Sequence, residues 1–195
     1  MIAYPEIQKR VQQEMDSVVG RDRLPRATVK RTRQLDGEEV PRGLSDKDKL
    51  PFTSAVLLEI QRIVSTNPLG IPHSCGDDTI IDGYYIPKGS VVVSNLWAVH
   101  HDPDTCKNPD QFNPDRFLDK DRCLREREGL IPFSTGRRIC IGENLAKMEL
   151  YIFFTHLLHH FTFKKPHDSK SFSLKGVTGI QHSPGPFLIE VINRD

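Results

Sequence analysis

Phe133–Gly142 reads FSTGRRICIG and places one cysteine, Cys140, among two glycines and two arginines. Such a cysteine is a small buried hydrophobe, half of a disulfide, a metal ligand or a nucleophile. A helical pattern starts at about Asn144, so the free amide groups and dipole of its first turn would stabilise negative charge on the sulfur. The position of Cys140 therefore favours a thiolate.

The neighbours of the cysteine narrow this choice. Gly136 and Gly142 allow a tight backbone that can approach a flat group, and Arg138 offers hydrogen-bond donors to anionic groups. Phe133 would shield the sulfur from water. A thiolate in this setting suits axial ligation of haem iron, whereas a buried structural cysteine would need none of these neighbours.

Length and composition exclude several classes of protein and site. The 195 residues carry 27 basic and 26 acidic side chains, so the net charge near zero gives no sign of nucleic-acid binding. The four cysteines show no CxxC spacing and follow no secretory leader, which favours a reducing compartment over a disulfide framework or a zinc ribbon. The longest apolar runs are far shorter than the ~20 residues of a membrane span, so we expect no anchor in this chain.

Periodicity predicts a mixed fold that is mainly helical. Apolar residues at helical spacing predict a first helix from about Pro5 to Gly20, a second from Pro51 to Val64, and a long helix from Asn144 to His160. Between them, β-branched runs broken by Asp-Gly and Pro-Lys-Gly turns predict a small sheet over residues 79–96, and a terminal strand ends the chain. We expect Leu57, Leu58 and Ile60 to be buried, and the long helix to present Leu145, Met148, Ile152 and Leu157 on one face.

Two segments stand apart from this pattern. Residues 27–43 are highly charged and poor in large apolar side chains, so a solvated loop is expected there. In HLLHH, His156 and His160 share a helix face at i, i+4, which leaves a metal site as a minor alternative to an exposed helix end.

Three motifs together resemble the cytochrome P450 family. FSTGRRICIG matches the family's haem-loop pattern F-x-x-G-x-R-x-C-x-G in full, which chance would produce in such a chain with a probability of about one in ten thousand or less. EIQR supplies the family's E-x-x-R as Glu59 and Arg62, and FNPDRF is similar to the meander motif that contains Arg116. Asp115 stands where the family usually has Glu, a small departure that leaves Arg116 intact.

The resemblance implies an α+β, mainly α fold: the C-terminal part of the P450 fold, with residues 1–195 forming a partial domain interrupted by the charged insert. It implies haem b as cofactor, with Cys140 as the axial thiolate and metal ligand, Arg138 and His73 binding haem propionates, and Phe133 packing near the sulfur. Glu59, Arg62 and Arg116 would form a structural triad behind the haem. The border of the substrate pocket would include Leu69, Ile71, Ile180 and Gln181.

The implied activity is that of a haem-thiolate monooxygenase, which inserts one oxygen atom of O₂ into a small apolar substrate. Electrons would come from an NADPH-dependent flavoprotein reductase with an acidic surface, for which Arg125, Arg127, Arg137 and Lys147 could contribute a basic docking face. A solvated charged loop is an equally good interpretation of Arg125 and Arg127. Family members of this microsomal type associate with the endoplasmic reticulum membrane, whereas a chain without an anchor would be cytoplasmic.

The resemblance covers only the C-terminal part of the family's chain, without the distal helix that delivers protons to bound oxygen. We therefore expect a truncated or alternatively spliced product, or an imperfect gene model. Two hypotheses stay open: a monooxygenase represented by its haem-binding part, and a catalytically inactive fragment that is unstable or acts in interaction or regulation.

Overall fold

The computed structural model describes residues 1–27, 45–125, 129–167 and 173–194, so residues 28–43 of the charged insert and Arg127 lie outside the described part. Four α-helices occur there: α1 (Pro5–Val18), α2 (Pro51–Val64), α3 (Leu96–His100) and α4 (Glu143–His160). Short 3₁₀ turns lie at Lys47–Lys49, Pro114–Phe117 and Gly136–Arg138.

Local chemistry explains where the first two helices begin and end. Pro5 and Pro51 each occupy the first helical position, where the missing N–H costs nothing. Gly20 follows α1 with φ +80°, a left-handed conformation that glycine adopts without strain. Glu14 of α1 caps α2, because its carboxylate accepts the backbone N–H groups of Phe52 at 2.9 Å and Thr53 at 2.7 Å. The predicted helices are therefore confirmed.

The strands form four separate two-stranded antiparallel sheets within the described residues, rather than one small sheet. Asp82 and Gly83, with φ of +51° and +82°, form the predicted tight hairpin turn. After a second turn at residues 87–90, the chain folds back to pair with an earlier strand that the prediction had missed. The pairs are β1 (His73–Ser74) with β4 (Val91–Val92), β2 (Thr79–Ile81) with β3 (Tyr84–Ile86), β5 (Phe161–Lys164) with β8 (Glu190–Asn193), and β6 (Val177–Thr178) with β7 (His182–Ser183). This mixture of helices and small sheets confirms the predicted α+β class.

The hydrophobic core lies where α1, α2 and α4 meet. Val11, Met15 and Val56 are fully buried there, and Tyr151 and Leu158 of α4 are 1 % exposed. Burying a side chain of this size contributes about 1.5–3 kcal/mol. Leu57 is buried as predicted, whereas Leu58 and Ile60 are only partly buried.

The buried face of α4 differs from the predicted one. Tyr151, Thr155 and Leu158 face the core, whereas Leu145 and Leu157 are 55 % and 46 % exposed. Leu157 follows Tyr151 by six positions, which at 100° per residue places it about 240° away around the helix. Apolar residues occur on all sides of α4, so periodicity alone could not identify the face that packs.

The two ends of the insert lie side by side. The backbone N–H of Asp46 donates to the carbonyl of Arg26 at 3.0 Å, and the N–H of Arg26 donates to the Asp46 carboxylate at 2.9 Å. Arg23 adds a bidentate ion pair with the same carboxylate. The residues on either side of the insert are thus hydrogen-bonded to each other. Among the described residues, no helix is both long enough and apolar enough to cross a bilayer.

Candidate functional site

A buried charge cluster joins α2 to the turn at Pro114–Phe117. Glu59 is fully buried, and its carboxylate accepts hydrogen bonds from Arg62 Nε at 2.8 Å and from Arg116 Nε at 3.1 Å. Arg62 Nη2 and the backbone N–H of Asn113 complete its shell at 3.0 and 2.8 Å. The structure therefore brings together the three side chains that the motifs predict to interact.

The outer donors of both guanidinium groups bind backbone carbonyls at the end of α3 and in the irregular segment that follows it. Arg62 reaches His100 O at 2.9 Å and Pro109 O at 2.8 Å, and Arg116 reaches Lys107 O at 2.9 Å and Gln111 O at 3.0 Å. Because buried ionised groups are tolerated only when paired and hydrogen-bonded, this set of contacts fixes the path of the segment.

His100 extends the cluster toward the cysteine loop, and the sequence motifs did not identify it. Its side chain is buried, with Nδ1 2.6 Å from Ser65 Oγ and Nε2 3.1 Å from the backbone nitrogen of Ile131. Burial, with the nearby positive charges of His101 and Arg62, lowers the pKa of His100 to about 4. A histidine at the end of a short helix shows no signal of this role before its distant partners are known.

Cys140 lies in a tight loop that enters α4. Its backbone N–H donates to Phe133 O at 3.0 Å, and its carbonyl accepts from Glu143 N–H at 3.3 Å. Gly136 sits at the turn with φ +72°, a conformation that disfavours other residues. The loop ends at Gly142, the residue before the first turn of α4, where an added Cβ would lie 3.8 Å from Cys140 Sγ.

The surface of this loop suits a large flat apolar group with a thiolate ligand. Cys140 is a free, exposed thiol, and Ile139, Ile141 and Leu145 beside it are 43 %, 105 % and 55 % exposed. Exposed apolar side chains around a free thiol are compatible with a haem face. A cavity of about 60 Å³, lined in part by Phe133 and Lys147, is too small to hold a macrocycle.

The other predicted haem and substrate residues occupy two adjoining segments. His73 lies on β1 and is exposed, and Leu69 and Ile71 before it are 51 % and 77 % exposed. Ile180, 93 % exposed, and Gln181 lie at the turn between β6 and β7. The N–H of His182 donates to Thr66 O at 2.7 Å, so this hairpin adjoins the segment that leads to Leu69. In the described part of the chain, no hydrogen bond joins either segment to the Cys140 loop.

The basic residues around the Cys140 loop differ in whether they form ion pairs. Lys147 is paired with Glu143 one turn earlier on α4, which reduces its value as a free positive charge. Arg125, Arg137 and Arg138 are exposed. Within the described ranges, these three guanidinium groups make no hydrogen bond or ion pair, so their donors are accessible.

The HLLHH segment does not form a metal site in the described part of the chain. His156 Nε2 lies 2.9 Å from Pro25 O, and His159 Nε2 lies 2.9 Å from Gly20 O, so both rings bind carbonyls of the segment after α1. No three His, Cys, Asp or Glu side chains of the described residues are arranged to hold a metal ion. His156 and His160, the pair of the metal-site alternative, are thus not part of any three-ligand cluster within the described residues.

Comparison with known proteins gives one family. The family model described as Cytochrome P450 matches residues 1–191. The chain is 42 % identical to Cytochrome P450 2U1 of Rattus norvegicus over 194 residues, and these cover 100 % of the chain and 33 % of that protein. It is 42 % identical to Cytochrome P450 2J1 of Oryctolagus cuniculus, with coverage of 100 % and 35 %, and 41 % identical to Cytochrome P450 2D15 of Canis lupus familiaris, with coverage of 97 % and 34 %. The chain thus spans about a third of the length of the curated relatives it matches.

Proposed function

The chain belongs to the cytochrome P450 family, and from that premise we propose that it is the haem-binding part of a haem-thiolate monooxygenase. The observation that carries this proposal is the exposed thiol of Cys140, held by the loop at the start of α4 beside exposed Ile139 and Ile141. When bound, haem with a thiolate ligand supplies the redox chemistry that inserts one oxygen atom of O₂ into an apolar substrate.

Each residue of the loop has a distinct part in this proposal. Cys140 supplies the axial thiolate, and Phe133, whose carbonyl accepts the Cys140 N–H, would pack near the sulfur. Gly136 and Gly142 keep the backbone close enough to a flat group because they add no side chain. Arg138 holds a propionate through its unpaired guanidinium group.

Residues outside the loop complete the site. His73 holds the second propionate, and Leu69 and Ile71, with Ile180 and Gln181 at the hairpin turn, border the pocket for a small apolar substrate. Their exposure and the contact between the two segments support this placement. The charge cluster around Glu59 keeps the segment behind the loop in place through buried charge-assisted hydrogen bonds.

Electron delivery needs a partner with complementary charge. We assign this role to an NADPH-dependent flavoprotein reductase with an acidic surface, since Arg125 and Arg137 are exposed and unpaired within the described part. The family's microsomal members favour the endoplasmic reticulum membrane as the location of the complete enzyme.

Haem titration of the purified chain tests this proposal. The wild-type chain and a Cys123→Ser control, in which an exposed cysteine away from the loop is changed, are expected to bind one haem each with the same spectrum. Cys140→Ser is expected to lose the thiolate-type spectrum. A folded wild-type chain that binds no haem would refute the proposal and favour the inactive interaction fragment.

A further inference from the structure

His100 lies at the C-terminal end of α3, where its buried ring contacts two different parts of the chain. Nδ1 lies 2.6 Å from the hydroxyl oxygen of Ser65, the residue that ends α2, and Nε2 lies 3.1 Å from the backbone nitrogen of Ile131. The ring is 2 % exposed, so water does not compete for either nitrogen.

The hydrogen bonds fix the tautomer of this ring. A backbone N–H can only donate, so Nε2 must accept from Ile131 and must carry no proton. A neutral imidazole then carries its proton on Nδ1, which donates to Ser65 Oγ. The Ser65 hydroxyl in turn donates to Arg62 O at 2.9 Å, and Arg62 Nη1 donates to His100 O at 2.9 Å. In this series of hydrogen bonds, every donor therefore faces an acceptor.

The chain of contacts continues into the cysteine loop. The carbonyl of Ile131 accepts from Ser134 N–H at 3.0 Å, and Phe133, two residues after Ile131, accepts the N–H of Cys140 at 3.0 Å. The segment that His100 holds is therefore the same segment that holds the backbone of the cysteine. We propose that His100 is a positioning residue, which fixes the Ile131–Phe133 segment, and through it the Cys140 loop, relative to the charge cluster at Glu59 and Arg62.

If the His100 ring only filled space, it would not need hydrogen bonds at both of its nitrogens. Any apolar side chain of similar volume would fill the space, but it would remove the acceptor of the partly buried Ile131 N–H and the donor to the Ser65 hydroxyl, which would keep only its bond to Arg62 O. The hydrogen bonds of His100 are observed in the protein itself. The positioning role rests on the proposed function only where it concerns ligation of haem by Cys140.

Two substitutions separate positioning from packing. In His100→Gln, the amide oxygen can reach the position of Nε2 and accept from Ile131. In His100→Asn, the shorter amide can reach only the position of Nδ1. His101→Asn is the matched control, because His101 is partly exposed and its Nδ1 contacts only Trp97 O on its own helix.

The first readout is backbone hydrogen exchange of the haem-free chain. We expect His100→Asn to accelerate exchange at Ile131 and across residues 133–142 by about tenfold or more, because the Ile131 N–H loses its acceptor. His100→Gln and His101→Asn should stay within about threefold of wild type. Circular dichroism accompanies each variant.

The second readout is the reduced carbon monoxide spectrum of the haem-loaded chains. His100→Asn should lower the fraction of thiolate-ligated haem at least about threefold, and His100→Gln should restore it. Wild-type exchange in His100→Asn, or equal loss of structure in His100→Gln and His100→Asn, would overturn the proposal, since the latter result would mean that His100 only packs. If wild-type chain binds no haem, the proposed function fails, whereas the exchange result still decides the role of His100.

Discussion

Replacing Glu59 by alanine is expected to be the most destabilising single change in the charge cluster. The carboxylate accepts four hydrogen bonds: two from Arg62, one from Arg116 and one from the backbone of Asn113. Glu59→Ala would leave both guanidinium groups, 4 % and 9 % exposed, without a counter-charge.

The magnitude follows from the cost of an unpaired buried charge. Breaking a buried ion pair by removing one partner costs about 3–5 kcal/mol. A domain of this kind is stable by about 5–15 kcal/mol in total, so Glu59→Ala should remove a large part of its free energy of unfolding. A second carboxylate offers a matched control: Asp115, next to Arg116, pairs with Arg10 at 3.0 Å, and their side chains are 49 % and 38 % exposed.

Urea unfolding followed by far-ultraviolet circular dichroism measures both effects. We expect Glu59→Ala to lower the free energy of unfolding by about 3 kcal/mol or more. Asp115→Ala should lower it by less than about 1 kcal/mol, because exposed ion pairs contribute little. Equal losses in the two variants, or a loss below about 1 kcal/mol for Glu59→Ala, would refute the view that the cluster is a buried and interdependent unit.

Three further changes test other parts of the structure. Because the pKa of His100 is about 4 in the folded chain and about 6.5 when unfolded, the unfolded state binds the proton first as pH falls. Urea unfolding should therefore show a loss of about 2.5 kcal/mol from pH 6.5 to 4 that His100→Gln lacks, and identical pH slopes would contradict this. Deleting residues 28–44 should raise the free energy of unfolding by up to about 2 kcal/mol through the lower entropy cost of loop closure, since the Arg26–Asp46 backbone hydrogen bond would then close a two-residue turn; loss of the cooperative unfolding transition would show that the insert is required. Glu14→Ala should cost about 1–2 kcal/mol in the same assay through loss of the α2 cap, and an unchanged urea midpoint would contradict that role.

Local signals in the sequence were enough to predict α1, α2, α4 and the first hairpin, but not the short helix α3. Pro5 and Pro51 mark helix starts because proline fits the first turn, and Asp82-Gly83 marks a turn because both residues adopt positive φ. The family pattern around Cys140 identified the candidate ligand before any contact was known. These features depend on the residues themselves and their immediate neighbours.

Features that depend on distant partners could not be predicted in this way. The buried face of α4 is set by contacts with α1 and α2, and its sequence offers apolar residues on every side. The importance of His100 depends on Ser65 and Ile131, which lie 35 and 31 positions away. Gln8, buried on α1, bonds both backbone groups of Phe163, at a separation of 155 positions. Such long-range polar contacts produce no periodic pattern in a sequence, so they cannot be predicted from it.

The most direct test of the haem-thiolate assignment is the carbon monoxide difference spectrum of the reduced chain reconstituted with haem. The wild-type chain and the Cys123→Ser control should show the Soret band characteristic of thiolate-ligated haem, and Cys140→Ser should lose it. A folded wild-type chain without that band, or a Cys140→Ser variant that retains it, would contradict the assignment of Cys140 as the axial ligand.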